Sequence, residues 1–234
     1  MKKYLLWGAL ALSPCLAVGA KDNNLIESSE GTAASDLAAL KLPAPADIKV
    51  AVLPFSDYAS DQNHVRIASG ANFLLFQRQG FQLLPLADSF AAAKADDELE
   101  PGLPLRKSDA VRLGKQLGAD WVVYGEVKDL RSYKKETFFS RTKNMWAALR
   151  VAVANVNTGD LFFYGIRSRK VGGTGMQNGF QSKTEQLERV GVTSVSNDIL
   201  EPLFKALPAH ETKGKIPESG DLAGFVKQTW PKEK

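Results

Sequence analysis

The sequence predicts an α/β (α+β) domain: a mixed sheet with an antiparallel hairpin, and helices packed against it. Three observations predict it. Along residues 48–127 the elements run β-α-β-α-α-β, an order that layers helices on a sheet. Leu117-Gly118-Ala119-Asp120-Trp121-Val122-Val123-Tyr124-Gly125-Glu126-Val127 reads as a helix end, a glycine stop and a strand. That strand is apolar on both faces, with Trp121, Val123 and Val127 on one and Val122 and Tyr124 on the other, so it is central and covered on both sides. Finally, Ala147, Leu149, Val151 and Val153 alternate with Arg150, Ala152 and Ala154, and the turn Asn157-Thr158-Gly159-Asp160 leads into a return strand over Leu161 to Arg169.

The elements follow in order. Ile48 to Phe55 is a short apolar run, a buried strand ended by Pro54. Asp57 to Asp61 carries helix-capping chemistry. A helix over Gln62 to Gln79 aligns Ile67, Ala71, Leu74, Leu75 and Arg78, and Gly80 stops it. Phe81 to Pro85 is a second strand, Asp88 to Asp97 an alanine-rich helical stretch, and Glu100 to Arg106 a Pro/Gly loop. Ser108 is the expected N-cap of the next helix, whose buried face is Ala110, Leu113, Gly114 and Leu117. Gly118 occupies the position that needs a positive φ. After the hairpin, Gly172-Gly173-Thr174-Gly175 and Gly179 fall in a polar loop. A long helix over Thr184 to Leu207 then aligns Val192, Val195, Ile199 and Leu203, and Pro208 ends it.

With 234 residues, 44% hydrophobic, the chain holds one domain of ordinary size plus appendages. Residues 1–20 read as a secretory signal peptide: Lys2 and Lys3, a short apolar run from Tyr4 to Leu16, and small residues at Val18-Gly19-Ala20. The net charge of +4 falls toward neutral once those lysines are removed. Cys15 is the only cysteine, and two processing routes are open. Cleavage after Ala20 removes it. Alternatively, Leu12-Ser13-Pro14-Cys15 resembles a lipoprotein box, although proline stands where Gly or Ala is usual, and Cys15 is then lipidated. The expected organisation is a signal peptide over 1–20, a flexible linker over 21–47 with a weak helical patch around Ala34 to Leu40, the α/β domain over 48–208 and a mobile C-terminal tail over 209–234. The chain is expected in the periplasm, with membrane attachment only if Cys15 is lipidated.

No catalytic, cofactor or metal constellation emerges. His64 and His210 read as surface histidines without a nucleophile or paired acid. No Gly-x-Ser-x-Gly elbow occurs. The glycine run lacks the Gly-Lys-Ser/Thr ending of a phosphate loop. The acidic run Asp96, Asp97, Glu98 and Glu100 reads as a solvated helix end, because a calcium loop needs spaced ligands and a central glycine. The segment 131–143 differs. Arg131, Lys134, Lys135 and Arg141 interleave with Tyr133, Phe138 and Phe139, a pattern that suits an acidic partner, anionic lipid or nucleic acid. Export argues against nucleic acid. A strand extension with local packing is the alternative.

These residues together resemble a family. Val50-Ala51-Val52-Leu53-Pro54-Phe55 opens the domain, Gln79-Gly80-Phe81 leads to the second strand, Leu117 to Val127 follows a helix, and Thr158-Gly159-Asp160 opens a return strand. The series is similar to the superfamily that includes the curli secretion channel subunit CsgG, the N-terminal domain of TolB and the outer-membrane lipoprotein LpoB that activates a peptidoglycan synthase. The resemblance covers residues 48–207 and implies a mixed α/β fold. It also implies an envelope protein that binds other proteins, without catalysis, as an accessory or assembly factor. A subunit of an oligomeric secretion assembly and a small-ligand module are the other readings. The channel's membrane hairpins match 130–143 and 167–183. A membrane strand needs roughly nine to eleven residues, so a full hairpin is not expected there.

Overall fold

The structure, a computed structural model, describes residues 28–59, 61–100, 102–137, 140–173, 182–208 and 219–229. Among these, seven strands form one mixed sheet, with helices on both faces. The N-terminal part comprises β1 (Ser28–Gly31), α1 (Ala34–Ala39), β2 (Lys49–Val52), β3 (Ser56–Asp57) and α2 (Gln62–Arg78). It continues with β4 (Gln82–Leu83), α3 (Leu86–Lys94) and α4 (Lys107–Leu117). Three long strands follow, β5 (Trp121–Thr137), β6 (Ser140–Asn155) and β7 (Leu161–Gly173), then α5 (Ser182–Ala206) and α6 (Ser219–Thr229). The sheet order is β1-β7-β6-β5-β2-β4, and β3 also lies on β5. The β2, β3 and β4 pairings are parallel; those among β5, β6, β7 and β1 are antiparallel.

Strand β5 is central, and its alternation sorts the core. Trp121, Val123 and Val127 join Ala147, Leu149, Val151 and Val153 of β6 beneath α2 and α5. Val122 and Tyr124 join Ala152, Ala154 and the Ala110, Val111 and Leu113 face of α4 on the opposite side. Val122, Val123, Leu149 and Val151 are fully buried. Each such side chain contributes about 1.5–3 kcal/mol relative to exposure. The β5 start is fixed to β2 by Asp120, whose carboxylate accepts from the Lys49 N–H at 2.9 Å and whose own N–H donates to the Lys49 carbonyl at 2.8 Å.

Local signals hold with one exception. Asp61 caps α2, accepting from the Asn63 N–H at 2.8 Å. Gly118 ends α4 at φ +70°. Asn155 accepts from the Asn157 and Thr158 N–H groups, and Gly159 takes φ +76°, which closes the β6–β7 turn. Ser108, however, is not an N-cap. Helix α4 starts two residues earlier, at Lys107, and Arg106 stands at the cap without a side-chain bond. Ser108 therefore lies inside the first turn, where Asp109 supplies the negative charge that favours a helix N-terminus.

Three other expectations are corrected. The flexible linker predicted over 21–47 is built into the domain from residue 28. Strand β1 pairs with β7 through Ser28↔Ser168 to Gly31↔Gly165, and Leu37 of α1 is fully buried. The tail predicted over 209–234 contains α6, which packs on α2. Leu222 is fully buried, Phe225 stacks on Phe73 with centroids 5.0 Å apart, and Asp221 accepts from Arg78 at 2.9 Å. Polar spacing hid β1 and α6, whose partners are found only in the folded domain, whereas the weak helical patch expected around Ala34 to Leu40 forms as α1. Third, 130–143, where a full hairpin was not expected and a strand extension was one reading, holds paired strands: β5 and β6 pair as far as Thr137↔Ser140. The expected signal peptide, Cys15, His210, Phe138, Phe139 and residues 174–181 of the glycine-rich loop lie outside the described residues.

The α6 contact yields a direct prediction. Leu222→Ala is expected to destabilise the domain by about 2–3 kcal/mol, because the void between α2 and α6 cannot fully collapse. Urea unfolding measures it, and an unshifted midpoint would show that α6 contributes nothing to the folded core.

Candidate functional site: a basic and aromatic sheet face

The three long strands run past the helices on one side. On the α4 face the rows of the sheet can be followed one at a time. Tyr124, Ala152 and Tyr164 form the last row that contributes to the α4-side core. Glu126, Arg150 and Ile166 come next, then Asp129, Ala148 and Ser168. Beyond them stand Arg131, Trp146 and Lys170 in one row, and Tyr133, Asn144 and Gly172 in the last. Directly paired residues project to the same face, so each row is a contiguous surface.

The row Arg131–Trp146–Lys170 is the centre of the site. Trp146 is held on the middle strand with only 5% of its surface exposed, between a cation on each neighbouring strand. Arg131 and Lys170 are exposed. Lys170 Nζ lies 5.4 Å from the centroid of the Tyr133 ring, a diagonal cation–π contact. Arg131 Nε donates to Asp129 at 3.0 Å. Asn144 is buried beside Tyr133 in the final row. The face thus sets a half-buried tyrosine and a buried tryptophan among exposed cations; aromatic residues and Arg are enriched where proteins meet partners.

A bulge sets this face apart from the core. Between Val127 and Asp129 the β5–β6 register shifts, which leaves Lys128 as an extra residue. A bulge strengthens the local twist and turns the strand end away from the rest of the sheet. On the opposite face α5 continues over Met145, Ala147 and Val171, as close neighbours of Gly191. There Arg169 donates to Asp198 of α5 at 2.6 Å. The cations of β7 are therefore divided between an α5-neutralised side and the Lys170 side.

Of the residues singled out from sequence, Arg131 and Tyr133 stand on this face. Lys134, Lys135 and Arg141 lie in the same hairpin, paired by backbone register with Lys143, Thr142 and Glu136. The segment 131–143 and the described residues 167–173 of the segment 167–183 lie in one sheet, because β6 pairs with both β5 and β7. Sequence reasoning missed Trp146 and Lys170. The signal was present: one more step back along the β6 alternation from Ala148 reaches Trp146, on the face of Arg150.

Other polar clusters have structural partners. His64 is not a surface histidine: its side chain is 14% exposed, with Nδ1 3.0 Å from Asp57 and Nε2 3.6 Å from Asp61. Asp57 also accepts from the Ala59 and Asp61 N–H groups, so the trio ties the β3–α2 loop. Asp96 is not merely solvated. It accepts from Arg112 of α4, and that hydrogen bond is the main cause that raises the Arg112 pKa. Burial pushes the Tyr124 phenol up from its ordinary value, and Arg150 opposes the shift in part. Among the described residues no set of three His, Cys, Asp or Glu is placed to hold a metal. No described helix is long and apolar enough to cross a membrane. An open groove of about 300 Å³ lies between α1 and α5, lined by Ala34, Ala38, Glu201, Pro202, Lys205 and Ala206.

No protein-family model matches the chain, and no curated protein sequence matches it. Among solved structures the chain is similar to PelC, a dodecamer from Paraburkholderia phytofirmans, at 17% identity and TM-score 0.49, over 79% of this chain and 100% of that one. It is similar to lipoprotein GNA1162 from Neisseria meningitidis at 14% identity and TM-score 0.44, over 64% and 99% of the two chains. It is also similar to the C-terminal domain of LpoB from Escherichia coli at 15% identity and TM-score 0.35, over 58% and 91%.

Proposed function

We propose that this protein is an exported cell-envelope accessory factor that works by binding another protein, without catalysis, through the sheet face centred on Trp146. The observation that carries the reading is the row Arg131–Trp146–Lys170 beyond the helix-covered core. A face whose only task was to close the core would not place two exposed cations and a cation–π pair around a tryptophan. Residues 1–20 supply the export signal on this reading. The described segment from β1 onward leaves residues 21–27 as the span between that signal and the domain.

Site-specific photo-crosslinking in the native cells tests it. A benzoylphenylalanine in place of Tyr133 or Lys170 is expected to give a discrete protein adduct. The double variant Arg131→Glu/Lys170→Glu is expected to weaken partner binding by about 2 kcal/mol, roughly thirtyfold, in the range of interface hot spots. The same variant should change folding stability by less than about 0.5 kcal/mol per site, because both side chains are exposed. Folded, exported protein that forms no adduct from either position would overturn the reading. Intact mass of the exported chain settles its processing: a chain from Lys21 is free in the periplasm, whereas a lipidated Cys15 anchors it to a membrane.

A further inference from the structure

We infer that the partner is engaged by strand addition: an extended, net-acidic peptide segment pairs with the outer edge of β5 over Asp129–Thr137. The inference rests on the protein-binding reading above and names the chemistry of its partner. On its outer side β5 meets β3 only through Ser56↔Glu126 and Asp57↔Val127. Past the Lys128 bulge, among the described residues, β5 pairs on one side only, with β6, as far as Thr137. Nine residues of strand extend for about 30 Å, enough to template a full additional strand. Their outward N–H and C=O groups are a ready hydrogen-bonding ladder.

Charge decides what occupies that ladder. Residues 128–144 and 167–173 carry nine Lys or Arg against two Asp or Glu, a net +7 in a chain whose total is +4, which leaves the remainder at −3. A second copy is a poor occupant. Pairing β5 with β5 sets Arg131, Lys134 and Lys135 against their own kind, and pairing it with the β7 edge sets them against Arg169 and Lys170. Like charges on facing strands destabilise such pairs. The same cations favour an acidic strand, which would extend the sheet that holds Trp146 one strand and Lys170 two strands beyond β5.

The test uses the full exported chain and two labelled decapeptides of alternating Glu with Val or Thr, one with ordinary amides and one with every backbone nitrogen methylated. The first is expected to bind, at least about tenfold more tightly than the second, because only it can complete the ladder. Hydrogen exchange should slow within 129–137, and Arg131→Glu should weaken binding. Equal binding of both peptides, no binding of either, or protection elsewhere overturns strand addition. So does equal protection of 129–137 by phosphatidylglycerol vesicles, which assigns the edge to a lipid surface. Protection that grows with protein concentration alone assigns it to self-pairing and overturns it as well. If the crosslinks from positions 133 and 170 persist while the peptides fail, the partner uses the face and not the edge. If the crosslinks fail too, the protein-binding reading itself has failed.

Discussion

Gly125→Ala is expected to unfold most of the domain at temperatures the wild type tolerates. A Cβ at Gly125 would sit 2.1 Å from the Arg150 carbonyl oxygen and 2.4 Å from the Phe55 ring. Neither can yield at low cost. The carbonyl belongs to the β6 backbone, in the middle of the β5–β6 ladder, and Phe55 is 2% exposed within the main core. Overpacking of this kind costs about 3 kcal/mol or more when backbone must move. For a domain of this size that lowers the melting temperature by roughly 10 °C. Gly118→Ala provides the contrast. There the φ of +70° is the obstacle and no atom lies within 4 Å, so the expected loss is about 1–2 kcal/mol. Calorimetry on the two variants separates steric from conformational demand; equal shifts would show that the strands can part at Gly125.

The two glycines also show what was legible in the chain. Gly118 followed a helix-periodic run and preceded a β-branched one, so its role as a stop was readable from neighbours alone. Gly125 lay inside the strand that the same run identified, but the reason for it is the close approach of Phe55, seventy residues earlier. A contact of that range leaves no local trace. The same division holds across the fold. Elements with a full apolar face, such as α2, β5, β6 and α5, were legible because alternation or helical period repeats several times within each. The elements β1 and α6 were not: β1 carries no apolar side chain, and Leu222, Phe225 and Val226 of α6 fall within little more than one turn, too short to show a period, while α1 was legible only as a weak helical patch. Their order comes from surfaces made elsewhere in the chain.

The candidate site was half legible for a related reason. Arg131 and Tyr133 stood out in a composition that was basic and aromatic over a single stretch. Their placement beside Trp146 and Lys170 depends on register across three strands, and on the bulge at Lys128 that restores the faces after Val127. Without the bulge, Arg131 would fall on the α5 side, because one residue of slip exchanges the two faces of a strand. The outer edge of β5 over Asp129–Thr137 also follows from the fold, since only topology shows that β3 ends at Asp57 while β5 continues.

Phe76→Ala is expected to be as damaging as Gly125→Ala by the opposite route. Phe76 is fully buried on α2, with its ring centroid 5.1 Å from that of Phe81 and 5.3 Å from that of Phe204 on α5. Phe81 continues the file to Trp121 at 5.5 Å, and Trp121 to Phe162 of β7 at 4.7 Å. These rings join α5, α2, the approach to β4, β5 and β7 across the proximal end of the sheet. Removing the second ring of such a file leaves a void that three separate elements would have to move to fill, and the expected cost is about 3–5 kcal/mol. Urea denaturation should show a lower midpoint with an unchanged slope, the pattern of lost packing in an otherwise two-state domain. The distal Arg131–Trp146–Lys170 row lies away from this file, on the other face of the sheet. Below the variant's melting temperature its peptide binding should therefore equal the wild type's. A variant that binds less while fully folded would show instead that the aromatic file sets the geometry of the distal strands.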